Sequence, residues 1–100
     1  MNTLKKGQVR TIIFEENGVW YGVALEFNIV ESGDHQDVVY ANLQEAMRGY
    51  VDSLQKIHGA RPGPLNQNTD PQYEKLWAAL DANKPVPSPI KVLSYGFTRV

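Results

Sequence analysis

The sequence predicts an α+β fold: a three-stranded antiparallel meander with one helix packed across it, followed by a second short helix and a C-terminal edge strand. Three observations predict it. Residues 9–14 and 19–25 have the two-residue period of strands, an Asn17-Gly18 pair separates them, and from Asp37 onward apolar residues recur at steps of three and four. The first spacing is typical of strands and the second of an amphipathic helix.

The first two predicted strands form a hairpin. Val9–Phe14 is one arm and Val19–Leu25 the other, because Asn and Gly tolerate the positive φ angles of the tight turn between them. Gly22 in the second arm lets another element pack closely against one face. The apolar pair Ile29-Val30, followed by a run of turn residues, predicts a third strand.

The first helix is predicted from about Asp37 to His58, with Gly59 as its left-handed stop. Its apolar stripe consists of Val39, Leu43, Ala46, Met47, Tyr50, Leu54 and Ile57. His35 and Asp37 are both candidates to cap its start, and Asp37 is the better acceptor for the first-turn amides. Gly49 costs about 1 kcal/mol relative to alanine inside a helix, so we expect a close approach of the sheet or another backbone there.

A second helix is predicted from Pro71 to about Ala82, since Asp70 is a good cap and proline suits the first helical position. Its apolar face consists of Tyr73, Leu76, Trp77 and Leu80. Asn83 is a plausible stop.

Three prolines at alternate positions then impose an extended path on residues 85–89, and Ile90–Phe97 has strand composition. The two-residue period places Lys91, Leu93, Tyr95 and Phe97 on one face of this strand. We expect the strand to lie at an edge or to exchange with another copy. Residues 1–100 then form one domain, with a core at residues 9–58 and a helix and strand extension at residues 65–100.

Composition excludes several classes of function. Ten basic and 11 acidic residues leave a net charge of −1, too little for a broad phosphate-binding surface. The absence of cysteine excludes disulfides, thiolate nucleophiles and cysteine-based zinc sites. The first ten residues lack the apolar region of a signal peptide and no later run is long enough for a membrane span, so we expect a cytoplasmic location and no membrane partner.

Enzyme signatures are also missing, because the sequence has no nucleophile elbow, Walker loop or dinucleotide-binding glycine motif. His35 and His58 lie 23 positions apart, without metal-ligand spacing. Four acidic residues cluster around the third strand and the helix entrance: Glu26, Glu31, Asp34 and Asp37. Carboxylates so placed suit a magnesium site, but turn chemistry and helix capping explain them equally well. We expect no enzymatic activity, no cofactor and no metal.

Aromatic residues and charge point to a partner protein. Trp20 and Tyr95 are expected at an interface, because one helix covers only one face of so small a sheet. Residues 1–59 carry a net charge of −3 and residues 60–100 a net charge of +2. An acidic surface attracts a basic protein such as an RNA-binding one, although on charge alone a solvated face without a partner is an equal alternative.

The stretch Leu25–Asp34 followed by Ala41–Ala46, in the order strand, strand, strand, helix, resembles the HicB-like antitoxin family over about residues 9–57. The most telling part of the resemblance is the Gly33-Asp34 turn followed by Asn42-Leu43 and Glu45-Ala46 in the helix. The resemblance implies a partial RNase H-like fold without the metal-binding carboxylates of the nuclease. It further implies that the chain binds a HicA-type toxin, a small basic ribonuclease, and neutralises it by occlusion.

The sequence departs from that family in three places. His35 stands where members usually have threonine, and Val39-Tyr40 replaces the customary Ala-Leu pair. Many members append a ribbon-helix-helix or helix-turn-helix domain, but the order loop, helix, proline corner, strand in residues 60–100 fits neither. We therefore expect a stand-alone domain that does not bind operator DNA directly.

The leading hypothesis is thus a non-enzymatic antitoxin-type binding domain with Trp20, Glu26, Glu31 and Asp34 as its partner-binding residues. The alternative is a self-assembling structural or regulatory domain, a homo-oligomer in which the strand Ile90–Phe97 pairs with another copy. A third hypothesis, a small metal-dependent nuclease, would use Glu26, Asp34 and Asp37.

Overall fold

The computed structural model describes residues 8–56 and 70–99, and the side chains of all of these except residues 54–56. Its elements are β1 (Gln8–Glu16), β2 (Val19–Ala24), β3 (Ile29–Gly33), α1 (Gln36–Lys56), α2 (Pro71–Asp81) and β4 (Lys91–Arg99). The strands form one antiparallel sheet in the order β3-β2-β1-β4. The predicted α+β class, the three-stranded meander and the C-terminal edge strand are confirmed.

The sheet lies between the two helices, because both faces of β1 and β2 are apolar. On one face, residues of β1 and β2 pack with Phe27 and the inner side of α1: Val9, Ile13, Ala24, Phe27, Leu43 and Met47 form this cluster. On the other face, Ile12, Phe14, Val23 and Leu25 form a cluster with Leu76 of α2. The expectation that helix covers only one face of the sheet is wrong, since α2 packs on the second.

At Gly22 the sheet and α1 lie close together. A Cβ atom at this position would lie 2.9 Å from Val39 Cγ1 and 3.2 Å from Leu43 Cδ2. The expected close packing at Gly22 is confirmed. The same expectation for Gly49 is wrong, because a Cβ atom there would meet nothing within 4 Å.

The start of α1 differs from the expectation for Asp37. The helix begins at Gln36, and the backbone amide of Val39 donates to the carbonyl of His35 at 3.1 Å. His35 therefore occupies the cap position. Asp37 lies in the first turn, where the helix dipole stabilises a negative charge. The predicted end at His58 and the stop at Gly59 lie outside the described residues.

The start of α2 is as predicted. Asp70 accepts a hydrogen bond from the Gln72 amide at 3.0 Å, and Pro71 is the first helical residue. The helix ends at Asp81, and Asn83 has the positive φ of 57° that suits a stop. Of the helices in the two described ranges, none is both long and apolar enough to cross a bilayer.

A bulge changes which residues of β4 share a face. Phe14 pairs with Val92 and Ile13 with Ser94, so Leu93 is an extra residue between them. The face towards α2 therefore carries Val92, Tyr95 and Phe97, whereas the two-residue period predicts Lys91 and Leu93 with Tyr95 and Phe97. That prediction is wrong because a bulge shifts the alternation by one residue.

Candidate functional site

The structure separates the four predicted partner-binding residues. Trp20 pairs with Gly33, the neighbour of Asp34, and Glu31 pairs with Gly22, so these three lie along β2 and β3. Glu26 follows the other end of β2. It therefore does not share a site with them.

Glu26 is a buried ion-pair partner, and its assignment to an exposed binding surface is wrong. It is 4% exposed. Its carboxylate accepts hydrogen bonds from the backbone amide of Arg10 at 2.8 Å and from Arg10 Nε at 2.6 Å. The Arg10 guanidinium also donates to both carboxylate oxygens of Glu74 and lies 5.5 Å from the ring of Trp77. This network joins β1 to the segment after β2 and to α2.

The network sets the charge state of Arg10. Burial by itself lowers the pKa of the guanidinium, but the hydrogen bonds and charges of Glu74 and Glu26 outweigh burial and raise that pKa above the ordinary arginine value. Arg10 is therefore a permanent cation. Its function is structural, because its charge is satisfied within the molecule.

Trp20 is half-buried and packs against the cluster beneath α1. Trp20 is thus mainly part of the core. The sequence instead predicts it at an interface, on a face that no helix covers. Tyr95 is 44% exposed. Its hydroxyl donates to the Leu80 carbonyl at 3.1 Å and its ring contacts Trp77 edge-on.

Glu31 and Asp34 belong to a larger set of acidic groups. The segment from Ile29 to Ser53 carries five acidic residues and one base, Arg48. The acids of this acidic β3–α1 surface are Glu31, Asp34, Asp37, Glu45 and Asp52, of which Glu31 is half-buried and the others are exposed. Spacings of eight and seven residues place the three helical acids on one side of α1. Helical periodicity of charge is the signal in the sequence that identifies Glu45 and Asp52.

Two apolar side chains accompany these acids. Val38 is 50% exposed and Tyr40 54% exposed, both in the first turns of α1. Large exposed apolar groups with charged neighbours are the composition of protein interfaces, in which an apolar centre has a polar rim. This surface therefore combines exposed acids with exposed apolar groups near the start of the helix.

The described residues do not arrange a metal site. Within residues 8–53 and 70–99, no three His, Asp or Glu side chains are placed to hold an ion. The nuclease hypothesis required Glu26 beside Asp34 and Asp37, but Glu26 binds Arg10 at the other end of β2.

The opposite face of the sheet carries an aromatic cleft that the sequence analysis missed. It has a volume of about 570 Å³ and lies between the β1–β2 hairpin, α2 and the proline segment. Its lining includes Phe14, Glu16, Tyr21, Tyr73, Pro85 and Pro87. The sequence predicts Tyr73 on the apolar face of the second helix and a proline corner before the last strand. Phe14 and Tyr21 pair across β1 and β2 and share one face, but only the folded chain brings the prolines to the same cleft.

Tyr73 is a half-buried ionisable group of the cleft. Burial, followed by the nearby Asp70, Tyr21 and Glu16, raises the pKa of its hydroxyl above the ordinary value. Tyr73 therefore remains a neutral hydrogen-bond donor at physiological pH.

No protein-family model matches this chain, and no curated protein or solved structure matches it either.

Proposed function

We propose that this chain is a non-enzymatic, cytoplasmic HicB-like antitoxin-type domain that neutralises a basic HicA-type ribonuclease by occluding its RNA-binding surface. The observation that carries the proposal is the acidic β3–α1 surface with Val38 and Tyr40 exposed beside its acids. A ribonuclease binds RNA with basic groups, and an acidic surface competes for those groups.

The arrangement of residues 9–56 supports the same proposal. A three-stranded antiparallel meander with one helix across it is what the HicB-like resemblance implies, and β1 to β3 with α1 have this arrangement. The added α2 and β4 cover the other face and the β1 edge. Neither α2 nor β4 covers the acidic β3–α1 surface, because this surface lies on the opposite side of the sheet. A partner therefore has access to α1.

Occlusion here requires no bond to be broken. The acids steer the toxin during its approach, which mainly affects the association rate, while the apolar contacts of Val38 and Tyr40 slow dissociation. Since Glu26 is bound to Arg10, the predicted contact residues become Glu31, Asp34, Asp37, Glu45 and Asp52.

The test reverses charge on the helix. We expect the double variant Glu45→Lys, Asp52→Lys to associate roughly tenfold more slowly with a basic HicA-type ribonuclease at low ionic strength, with the difference shrinking as salt is added. The control is the triple variant Gln72→Lys, Ala78→Lys, Asp81→Lys, which makes the same change of charge at exposed positions of α2 on the opposite face. Association is measured by stopped-flow fluorescence and inhibition by cleavage of a labelled RNA. Equal effects of the double variant and the control, or full inhibition by both, would contradict the proposal.

A second function, self-assembly through β4, is supported by the exposure of that edge. Leu93 is 53% exposed and Phe97 58% exposed on a strand whose outer side has no partner strand in the described sheet. Such an edge can pair with another copy. Sedimentation of the pure protein tests this function. We expect a dimer that the Leu93→Lys variant disrupts, and a strict monomer at high concentration excludes self-assembly.

A further inference from the structure

The aromatic cleft has the size and lining of a small-molecule site. Its volume of about 570 Å³ lies within the range of ligand pockets, roughly 300 to 1,000 Å³. Three separate parts of the chain form it, since the hairpin contributes Phe14 and Tyr21, α2 contributes Tyr73 and Leu76, and the connector contributes prolines. A cleft built by three elements has walls fixed by the fold.

The walls are aromatic rings held by one another. Phe14 stacks on Tyr21 with ring centroids 5.2 Å apart, and Tyr73 tilts against Phe14 at 6.5 Å. Phe14 is 3% exposed and so forms the floor, while the two tyrosines are half-buried at the sides. The faces of such rings carry partial negative charge and attract cations.

A carboxylate adds to this negative potential. Glu16 lines the cleft and is half-buried, and its charge acts on Tyr73 together with that of Asp70. Lys75, the basic residue of the lining, is exposed, so its ammonium reaches solvent on a flexible stem. The inner part of the cleft therefore combines a carboxylate, two phenols and an aromatic floor.

Apart from Gln72, which is exposed, the remaining lining is apolar. Leu76 is buried, and Ile90, Pro85 and Pro87 add further apolar lining from the connector before β4. A ligand that satisfies both parts needs a positive charge at one end and an apolar body at the other.

We propose that this cleft binds a small amphipathic organic cation, an ammonium or guanidinium ion carried on an apolar or aromatic body. The cation lies against Tyr21 and Tyr73 near the Glu16 carboxylate, and the apolar body lies against Leu76 and the prolines. This site is on the α2 face and is independent of the acidic β3–α1 surface, so either proposal can fail alone.

The test uses three small probes of similar shape and different charge on the full chain: phenethylammonium, 2-phenylethanol and 3-phenylpropanoate. Binding is followed by amide chemical shifts during titration at millimolar concentrations. We expect phenethylammonium to shift the amides of the cleft residues and to bind roughly tenfold more tightly than the neutral alcohol, with the anion weakest. Equal binding of the ammonium ion and the alcohol, or no shifts in the cleft, would overturn the proposal.

Two matched variants test whether Glu16 causes the preference for the cation over the alcohol. Glu16→Gln should remove most of the preference for the cation over the alcohol. Glu15→Gln, at the adjacent residue of β1 whose side chain lies on the α1 face, should leave it unchanged. Both variants retain the shape of the side chain, and their unaltered amide spectra report that the chain is folded. An equal loss in the two variants would attribute the preference to net charge and refute the site.

Discussion

Two glycines illustrate how the same residue type has opposite consequences in different surroundings. Gly22 lies on β2 beneath α1, with Val39 Cγ1 and Ile13 Cδ1 at 2.9 and 3.1 Å from where a Cβ atom would stand. Gly49 lies on the exposed part of α1, with open space beside it. The sequence predicts close packing at both, and distinguishing them requires knowing which side of α1 faces the sheet.

Gly22→Ala should destabilise the protein by about 1 to 3 kcal/mol, because the added methyl group must displace the stiff side chain of Val39. Urea unfolding followed by circular dichroism measures the change. An unaltered midpoint would mean that α1 moves away from the sheet without cost.

Gly49→Ala should have the opposite effect and stabilise the protein by about 0.5 to 1 kcal/mol, because alanine restricts the unfolded chain and meets no neighbour in the helix. The same unfolding measurement applies. A destabilised Gly49→Ala protein would indicate a close contact at α1 that the described residues do not make.

The raised pKa of Tyr73 has a defined consequence for stability. Since the folded state holds the proton more tightly than the unfolded chain, the contribution of Tyr73 is fully present below about pH 10, the ordinary tyrosine value, and is lost as the pH rises through the folded pKa. We expect Tyr73→Phe to lose less stability than the wild type between about pH 9 and pH 11. Tyr40→Phe, at an exposed position of α1, is the control. If the wild type, Tyr73→Phe and Tyr40→Phe lost stability in parallel as the pH rises, the loss would not come from Tyr73.

At the scale of elements, one cation adds an ionic link between α2 and the sheet to the apolar contacts of Leu76. Arg10 lies on the central strand β1 and binds Glu26 after β2 and Glu74 on α2. The two carboxylates differ in exposure, at 5% for the Glu26 side chain and 42% for that of Glu74. Breaking a buried pair leaves an uncompensated charge, whereas water replaces an exposed partner.

We therefore expect Glu26→Gln to destabilise the protein by about 3 kcal/mol and Glu74→Gln by about 1 kcal/mol or less. Thermal unfolding of the two variants at equal salt compares them directly. Equal losses would show that the position of α2 depends on Glu74 as strongly as on Glu26.

The sequence predicted the elements better than the contacts between them. Periodicity and capping identified α2 to within a residue, because Asp70 and Pro71 act locally. The bulge at Leu93 has no local signature, since it depends on the pairing of β4 with β1. Glu26 was assigned to a surface because its partner Arg10 is 16 residues away, and charge patterns do not reveal such a pair.

For the molecule as a whole, the arrangement of helix, sheet and helix was missed although its signal is present. Ile12-Ile13-Phe14 and Val23-Ala24-Leu25 are consecutive buried residues in neighbouring strands. A strand with one solvated face alternates, whereas a strand covered on both faces is continuously apolar. These two runs therefore indicate that helix lies on both sides of the sheet.

A fragment comprising residues 9–58, the predicted core, should not fold by itself. It lacks α2 and β4 and would expose Ile12, Phe14, Val23 and Leu25, each worth about 2 kcal/mol when buried, against a total stability of about 5 to 15 kcal/mol for small domains. Size-exclusion chromatography and near-ultraviolet circular dichroism of the fragment test this. A monomer with a cooperative thermal transition would show that residues 70–99 are dispensable for folding.

The strand order also has a consequence during protein synthesis. β1 is made first and β4 last, yet they are neighbours, and the hydroxyls of Thr11 and Thr98 meet at 3.1 Å across 87 positions of the chain. While the ribosome is still translating β4, one side of β1 has no strand to pair with, and the nascent chain presents an open edge to other proteins. A chaperone that covers this edge until β4 can pair should therefore raise the yield of folded protein.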